Sequence, residues 1–205
     1  MKKVVVVSLA GLLVIAVGGV IAFHTITAKG FSTSSSEVSP KAAKALQQKI
    51  DTIKSAAENP HRARGASRVE VSESELESYL LYSLKEDIPA QIDTARVQLN
   101  RDLVSLDTQI TFPSNATGNP VVDTLMGGTH NLSLTGQFVA KESRGKFDLK
   151  EVRVDGIPVP NVLIQALIKK YVNPKYPEVN LNEPFDMPWG IEELTIEPGK
   201  ATVVY

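Results

Sequence analysis

The sequence predicts an α+β fold: a curved antiparallel β-sheet packed on two or three helices, preceded by an N-terminal transmembrane helix and a helical stalk. Three observations predict this class. An uninterrupted apolar run opens the chain, helical periodicity follows in two segments, and alternation of apolar and polar residues then continues over several long segments. Helices on the apolar face of an antiparallel sheet bury both kinds of element.

The opening apolar run is typical of a membrane anchor. Residues 4–23 carry no charge and follow Lys2 and Lys3. About 20 apolar residues cross a hydrocarbon core of roughly 30 Å, whereas the apolar part of a cleaved signal peptide usually has about 7–15 residues. We therefore predict an uncleaved anchor over 1–27, with a cleaved signal as the alternative. The two lysines favour a cytoplasmic N-terminus, with the remaining chain on the other side of the membrane.

The segment 28–67 is predicted to be a linker and stalk in front of a single domain over 68–205. Its first part is rich in Gly, Ser and Thr, which is typical of a flexible linker. Ser39 then caps a helix that begins at Pro40 and ends near residue 57, with a mildly apolar face and lysines on the other side. We interpret this helix as a solvated spacer, and a stalk lying on anionic lipid headgroups is the alternative.

The predicted domain begins with a short strand and a capped helix. Ser72 and Glu75 have the spacing of a capping box, and Pro89 follows the helix. Alternation then predicts four strands of an antiparallel meander: residues 95–99, 104–112, 132–138 and 146–154. The alternation slips near Glu151, which predicts a bulge there.

Three further elements complete the predicted domain. A two-turn helix over 120–126 precedes the third strand, and a helix over 160–171 follows the fourth. A closing hairpin turns at Pro198 and Gly199.

The composition argues against several classes of function. Lys and Arg number 22 and Asp and Glu number 23, so a net charge of −1 gives no electrostatic reason to expect nucleic acid as a partner. The chain has no cysteine, which excludes disulfides, thiolate metal sites and thiol nucleophiles. Three scattered histidines and the lack of a metalloprotease, Walker or nucleophile-elbow pattern lead us to expect no metal, no cofactor and no catalytic residue, and therefore no enzyme.

Two sets of residues keep a hydrolase open as a weaker hypothesis. His130 could form a catalytic triad with a serine and an aspartate. Glu73, Glu75 and Glu77 could supply the paired acids of a glycosidase. These acids fall where a helix begins, and the helix dipole and capping favour carboxylates at that position. We therefore expect them to cap the helix.

Three segments of the domain resemble a group of envelope proteins. They read Ser-Glu-Leu-Glu-Ser-Tyr-Leu at 74–80, Asp-Gly-Ile-Pro-Val-Pro-Asn-Val-Leu-Ile at 155–164 and Pro-Phe-Asp-Met-Pro-Trp-Gly-Ile-Glu-Glu-Leu at 184–194. Over 68–205 the chain resembles bacterial membrane-anchored envelope proteins of unassigned function, distantly like the LmeA-type and tubular lipid-binding (TULIP-type) domains. The resemblance implies a long curled sheet round a helix, with an apolar groove for acyl chains. It also implies a single pass through the bacterial inner (cytoplasmic) membrane, with the C-terminal domain extracytoplasmic or periplasmic.

The function expected from this resemblance is a membrane-tethered module that binds lipid or another amphiphile. Such sites need shape and aliphatic lining and few polar groups. The expected partners are the membrane, through residues 4–23, and a lipid. The alternative is a structural or assembly protein of the cell envelope that binds another envelope protein.

Seven residues are predicted to line the apolar groove: Leu76, Tyr79, Leu80, Leu84, Leu163, Leu167 and Trp189. The aliphatic members would serve equally well as ordinary core. Trp189 lies in a Pro–Gly loop, where it could gate the groove, anchor at a membrane interface or close one end of the core.

Overall fold

The computed structural model describes residues 38–58, 67–83, 91–112, 128–167 and 183–205. Within these ranges lie three helices, nine strands and a 3-10 turn at Pro188–Gly190. In chain order the helices and strands are α1 Pro40–Ala57, β1 Arg68–Ser72, α2 Glu73–Tyr82, β2 Gln91–Asn100, β3 Leu103–Phe112, β4 Gly128–Lys141, β5 Arg144–Val154, β6 Ile157–Pro158, α3 Asn161–Leu167, β7 Phe185–Asp186, β8 Glu193–Glu197 and β9 Lys200–Val204. The strands form one open antiparallel sheet, so the α+β class is confirmed.

Several predicted elements lie outside the described residues. They include the anchor over 1–27, the linker up to residue 37 and the two-turn helix over 120–126. In the part of the chain that the structure describes, no helix is both long enough and apolar enough to cross a membrane. The transmembrane helix therefore stays a prediction.

The four longest strands, β2 to β5, form the predicted meander, and their apolar residues share one face. A row of paired residues crosses all four strands, and each of its members is buried: Val97, Leu106, Leu134 and Val152. We call the face that carries this row the inner face. The predicted bulge is also confirmed, because Thr135 pairs with Glu151 and Gly136 pairs with Leu149, which leaves Lys150 as the extra residue.

The sheet divides beside β4. β3 pairs with β4 over Gly128–Gln137, and β8 pairs with it further on, at Ala140. Since β5 occupies the other edge of β4, β8 lies on the same edge as β3. The turn between β2 and β3 lies between β8 and β4 and bonds to both strands. The Asp102 N–H donates to the Ile196 carbonyl on β8 at 3.1 Å, and the Asp102 carbonyl accepts from the Phe138 N–H on β4 at 2.9 Å.

The C-terminal hairpin extends the sheet on the far side of this division. β8 and β9 pair in register on either side of Pro198 and Gly199, with Gly199 at a φ of 81°. β9 in turn pairs with β1, from Arg68 opposite Val204 to Ser72 opposite Lys200. The predicted closing hairpin and the predicted first strand are both confirmed.

Helix α1 spans the residues predicted to be helical, but it is not a solvated stalk. Ala43, Leu46 and Ile53 are buried, and Leu46 and Ile53 belong to the same hydrophobic core as the inner face of the sheet. The mildly apolar face of α1 packs against α2 and against the turn at 188–190. The structure does not support a solvated stalk over these residues, because the apolar side chains of α1 are packed into the core and not exposed to water.

Candidate functional site

The structure describes the side chains of four of the seven predicted groove residues. Leu76, Tyr79 and Leu80 on α2 are 6%, 3% and 2% exposed, and all three belong to the hydrophobic core. Trp189 is half-buried against the same core. Leu84 and the side chains of Leu163 and Leu167 lie outside the description. Three of the predicted residues therefore meet on one helix that packs on the sheet.

The buried hydroxyl groups beside the inner face are bonded within the fold. Two polar side chains are buried in the described residues, Ser78 on α2 and Thr108 on β3. The Thr108 hydroxyl donates to the Thr94 carbonyl at 2.7 Å, and the Ser78 hydroxyl donates to the Ser74 carbonyl at 2.6 Å. The face is therefore an apolar surface whose few buried hydroxyls are bonded within the fold.

One end of the inner face carries a histidine–aspartate pair. His130 precedes Leu132 by two residues on β4, so both side chains point to the same face. The His130 Nδ1 atom lies 2.9 Å from Asp155 Oδ2, and the other carboxylate oxygen accepts from the Asn131 N–H at 2.8 Å. The two side chains are 20% and 10% exposed, so they give this end of the face a polar, partly shielded group.

Sequence reasoning singled out His130 but not its partner. The two residues are 25 positions apart and meet because the antiparallel pairing of β4 and β5, with Leu132 opposite Val154, brings the end of β5 beside the start of β4. Asp155 and Gly156 then form the turn into β6. Both turn residues have positive φ, 49° and 79°, and the Asp155 N–H donates to the Asn131 carbonyl at 2.7 Å. A carboxylate that orients an imidazole occurs in catalytic triads and in purely structural ion pairs.

Helix α1 is held to α2 by an ion pair near its centre. Lys49 Nζ lies 2.6 and 2.8 Å from the two Glu75 carboxylate oxygens, and it also donates to the Glu70 carbonyl at 2.6 Å. The side chains are 32% and 13% exposed. The predicted capping box of Ser72 and Glu75 is confirmed. Glu75 therefore both caps α2 and binds Lys49 of α1.

Two further hydrogen bonds join α1 and α2 on the N-terminal side of Lys49. The Ser39 N–H, at the start of α1, donates to the Ser78 hydroxyl at 3.1 Å. The Tyr79 hydroxyl donates to the Gln47 side-chain carbonyl at 3.1 Å. Tyr79 is thus a predicted groove residue that α1 covers.

Trp189 also contacts α1 and has an uncommon backbone conformation. Lys54 Nζ lies 5.1 Å from the centre of the indole ring, within the range of a cation–π interaction. Trp189 has a φ of 55° and a ψ of 26°, a left-handed conformation that bulky side chains rarely adopt, and Gly190 follows at a φ of 69°. Packing has to hold such a conformation in place, and strained residues of this kind cluster at ligand clamps and switches.

Glu73 and Glu77 do more than cap α2. Glu73 Oε1 accepts from the Leu99 N–H at 2.7 Å, and Glu77 Oε1 accepts from the Val97 N–H at 2.9 Å. Both N–H groups belong to β2, an edge strand of the sheet, so the two carboxylates cover part of an edge that would otherwise be open. Burial raises the pKa of Glu77, against the opposing effects of the Val97 N–H and of Arg96. These two acids were expected only to cap the helix, and the structure shows that they also bind the edge of β2.

The described residues contain no group of three His, Asp or Glu side chains that could hold a metal ion. The acidic residues of α2 instead bind Lys49 and the edge of β2. In comparisons with known protein families and with curated proteins, the chain matches none.

Proposed function

We propose that this chain is a membrane-tethered extracytoplasmic module of the bacterial envelope that binds lipid or another amphiphile on the inner face of its sheet. The observation that carries the proposal is the unbroken apolar row across four long strands. An apolar surface of this kind is what an acyl chain requires, because such ligands are recognised by shape and aliphatic contact. The proposal includes the membrane anchor over residues 1–27, the curled shape of the sheet and the extracytoplasmic location of the domain.

The dimensions of the elements favour a ligand that lies along the strands. β4 has 14 residues and therefore extends over roughly 46 Å. α2 has 10 residues and is about 15 Å long. One helix of this length covers only part of the inner face, and other parts of the chain cover the rest. A ligand on this face therefore has to displace a covering segment.

The polar end of the inner face suits an amphiphile better than a wholly apolar ligand. The pair of His130 and Asp155 lies beyond Leu132 and Val154, which end the apolar part of β4 and β5. An acyl chain along the face would place a polar headgroup beside this pair.

The predicted anchor would keep the inner face near the bilayer. If residues 24–39 were fully extended, at about 3.5 Å a residue they would reach roughly 55 Å. The folded domain then stays within a short distance of the membrane surface, where a lipid can pass to it without crossing bulk water.

Photo-crosslinking of the full chain tests this function. The chain is reconstituted in phosphatidylcholine–phosphatidylglycerol vesicles that contain a lipid with a photoactivatable acyl chain, and labelled peptides are identified by mass spectrometry. We expect label in residues 4–23, which serve as the internal control, and also in peptides from α2, β3 and β4. Label confined to 4–23 would contradict lipid binding by the domain.

A second candidate, an assembly protein of the cell envelope, is favoured by two observations. Val97 and Leu106 are 1% exposed, as in a filled core. Among the described strands, β5 pairs with β7 at Arg144 and Gly145 and with β6 at Arg153 and Val154, so its central residues face no strand on that side. A partner protein could add a strand at such an edge. This candidate predicts the crosslinking result that contradicts the first.

A further inference from the structure

Helix α1 takes no part in the strand pairing of the described sheet. It contacts α2 and the turn at 188–190, and Lys49 also bonds to the Glu70 carbonyl on β1. Three of its 18 residues are buried: Ala43, Leu46 and Ile53. An element with few buried apolar contacts opens at a lower free energy than the core does. Lifting α1 would break no strand pairing of the described sheet.

Besides the buried Ala43, Leu46 and Ile53, polar contacts hold α1 in place. They are the bonds of Lys49 to Glu75 and to the Glu70 carbonyl, the hydrogen bonds of Ser39 with Ser78 and of Gln47 with Tyr79, and the Lys54 ammonium over the indole ring. Water replaces each polar partner when the helix lifts, so these contacts resist opening much less than buried apolar contacts do.

Two of the predicted groove residues lie under these contacts. Tyr79 is 3% exposed with its hydroxyl bonded to α1, and Trp189 packs beside Lys54. When α1 lifts, both aromatic side chains become accessible next to Leu76, which belongs to the same core.

We propose that α1, residues 40–57, is a strap that closes the amphiphile site and that its release from α2 admits an acyl chain to the core beside Tyr79 and Trp189. This inference rests on the proposed function. It also gives the tether a role, because α1 follows the predicted anchor and linker in the chain, so a force or a lipid contact at the membrane acts on the strap first.

Trp189 provides a direct measurement of this opening. It is the single tryptophan of the chain, so intrinsic tryptophan emission reports on this position alone. Full chain is reconstituted in phosphatidylcholine–phosphatidylglycerol vesicles whose acyl chains are brominated, because bromine quenches tryptophan on contact. Vesicles without bromine give the reference emission for each variant.

Lys49→Glu opens the strap and Lys44→Glu is its matched control. Lys49→Glu replaces an ion pair with two carboxylates, whereas Lys44 is exposed on the same helix and its substitution makes the same change in net charge. Loss of a charged hydrogen bond raises the ratio of open to closed strap by about tenfold. We expect bromine quenching of Trp189 to rise in Lys49→Glu and to stay at the wild-type value in Lys44→Glu.

A disulfide closes the strap. The Ser39 N–H lies 3.1 Å from the Ser78 hydroxyl, so the two residues are close enough for Ser39→Cys and Ser78→Cys to form a bond. The chain has no other cysteine, so a single disulfide forms. We expect the oxidised variant to show the least quenching and the reduced variant to return toward the wild-type value.

The outcomes separate the strap from the proposed function. Equal quenching in wild type, Lys49→Glu and the oxidised variant, together with crosslinks in α2 and β4, would overturn the strap while lipid binding stands. Emission that shifts in Lys49→Glu without any gain in bromine quenching, and without crosslinks in the domain, would show that α1 opens but admits no lipid. That result would overturn the proposed function and the strap's role in it.

Discussion

Gly136 lies on the central strand β4 under the ring of Phe147, and replacing it with alanine gives a sharp test of the packing of the inner face. A β-carbon at position 136 would lie 2.2 Å from one ring carbon of Phe147 and 2.5 Å from another. Ordinary contact between carbon atoms is about 3.5–4.0 Å. The ring would therefore have to move by more than about 1 Å, and it is itself buried and packed against Phe138.

The expected cost of Gly136→Ala is about 1–3 kcal/mol, the usual range for overpacking a core. The loss of glycine from the unfolded chain offsets part of this, by about 0.4–1 kcal/mol. A net cost of about 1–2 kcal/mol lowers the midpoint of thermal unfolding by roughly 2–8 °C for a chain of this size. Gly145→Ala is the control: there the nearest atom is the Met187 sulfur at 2.6 Å, at the end of a flexible side chain, so the cost is smaller.

A double-mutant cycle with Phe147→Leu tests the cause. Thermal unfolding of the four full-chain proteins, followed by circular dichroism, gives the coupling between Gly136 and Phe147. Leucine has no ring at the position of the clash, so the cost of Gly136→Ala should fall by about 1 kcal/mol or more in that background. An unchanged cost in the Phe147→Leu background would refute the proposed contact.

Three further predictions concern the turns and helix α2. Glu142 and Ser143 have positive φ values of 54° and 60° in the turn between β4 and β5, where Asn and Gly are favoured. The double variant Glu142→Asn, Ser143→Gly should therefore raise the free energy of unfolding, measured with urea, by about 1–2 kcal/mol. An unchanged free energy of unfolding would contradict this. Burial raises the pKa of Glu77 above its ordinary value of 4.5, so near that pH the folded chain binds more protons at this site than the unfolded chain does. The contribution of Glu77 to the free energy of unfolding therefore falls as the pH rises through its folded-state pKa. Glu77→Gln keeps an acceptor for the Val97 N–H but does not titrate. The unfolding midpoint of the variant minus that of wild type should therefore increase between about pH 4 and pH 7. A difference that stays constant or falls would argue against the burial of this charge. Ser72→Ala removes the cap of α2 and should cost about 1 kcal/mol in the same urea experiment, so a cost near zero would show that the capping box contributes nothing.

The strands were predictable where the inner face is continuous. β3 was predicted at 104–112 and spans Leu103–Phe112, because alternation with one buried face specifies both the strand and its register. β4 was predicted at 132–138 and spans Gly128–Lys141. Its first residues carry no apolar side chain, and pairing with the end of β3 extends the strand there, which alternation in β4 alone cannot reveal.

The helix α1 was predictable, but its place in the fold was not. Its cap and its apolar spacing are local features of the sequence. Its packing depends on Leu46 and Ile53, too few for a strong periodic signal, and on polar contacts between residues far apart in the chain, such as Lys49 with Glu75. Contacts of this kind follow from the tertiary fold and leave no spacing rule in the sequence.

The candidate site was predictable only in part. Leu76, Tyr79 and Leu80 follow from helical periodicity, and the structure places them together. The partner of His130 depends on the register between β4 and β5 and could not be read from local spacing. The Glu73 and Glu77 contacts with the edge of β2 had one local signal, since residues four apart share a helix face.

Hydrogen exchange of the full chain in vesicles tests most directly whether α1 is a docked strap. We expect the amides of residues 44–57 to be protected, with an opening free energy below that of β3 and β4, and we expect Lys49→Glu to lower it further while Lys44→Glu does not. Exchange of these amides at the rate of an unstructured chain would return α1 to a solvated stalk. Protection equal to that of β3 and β4 would make it a fixed part of the core that admits no ligand.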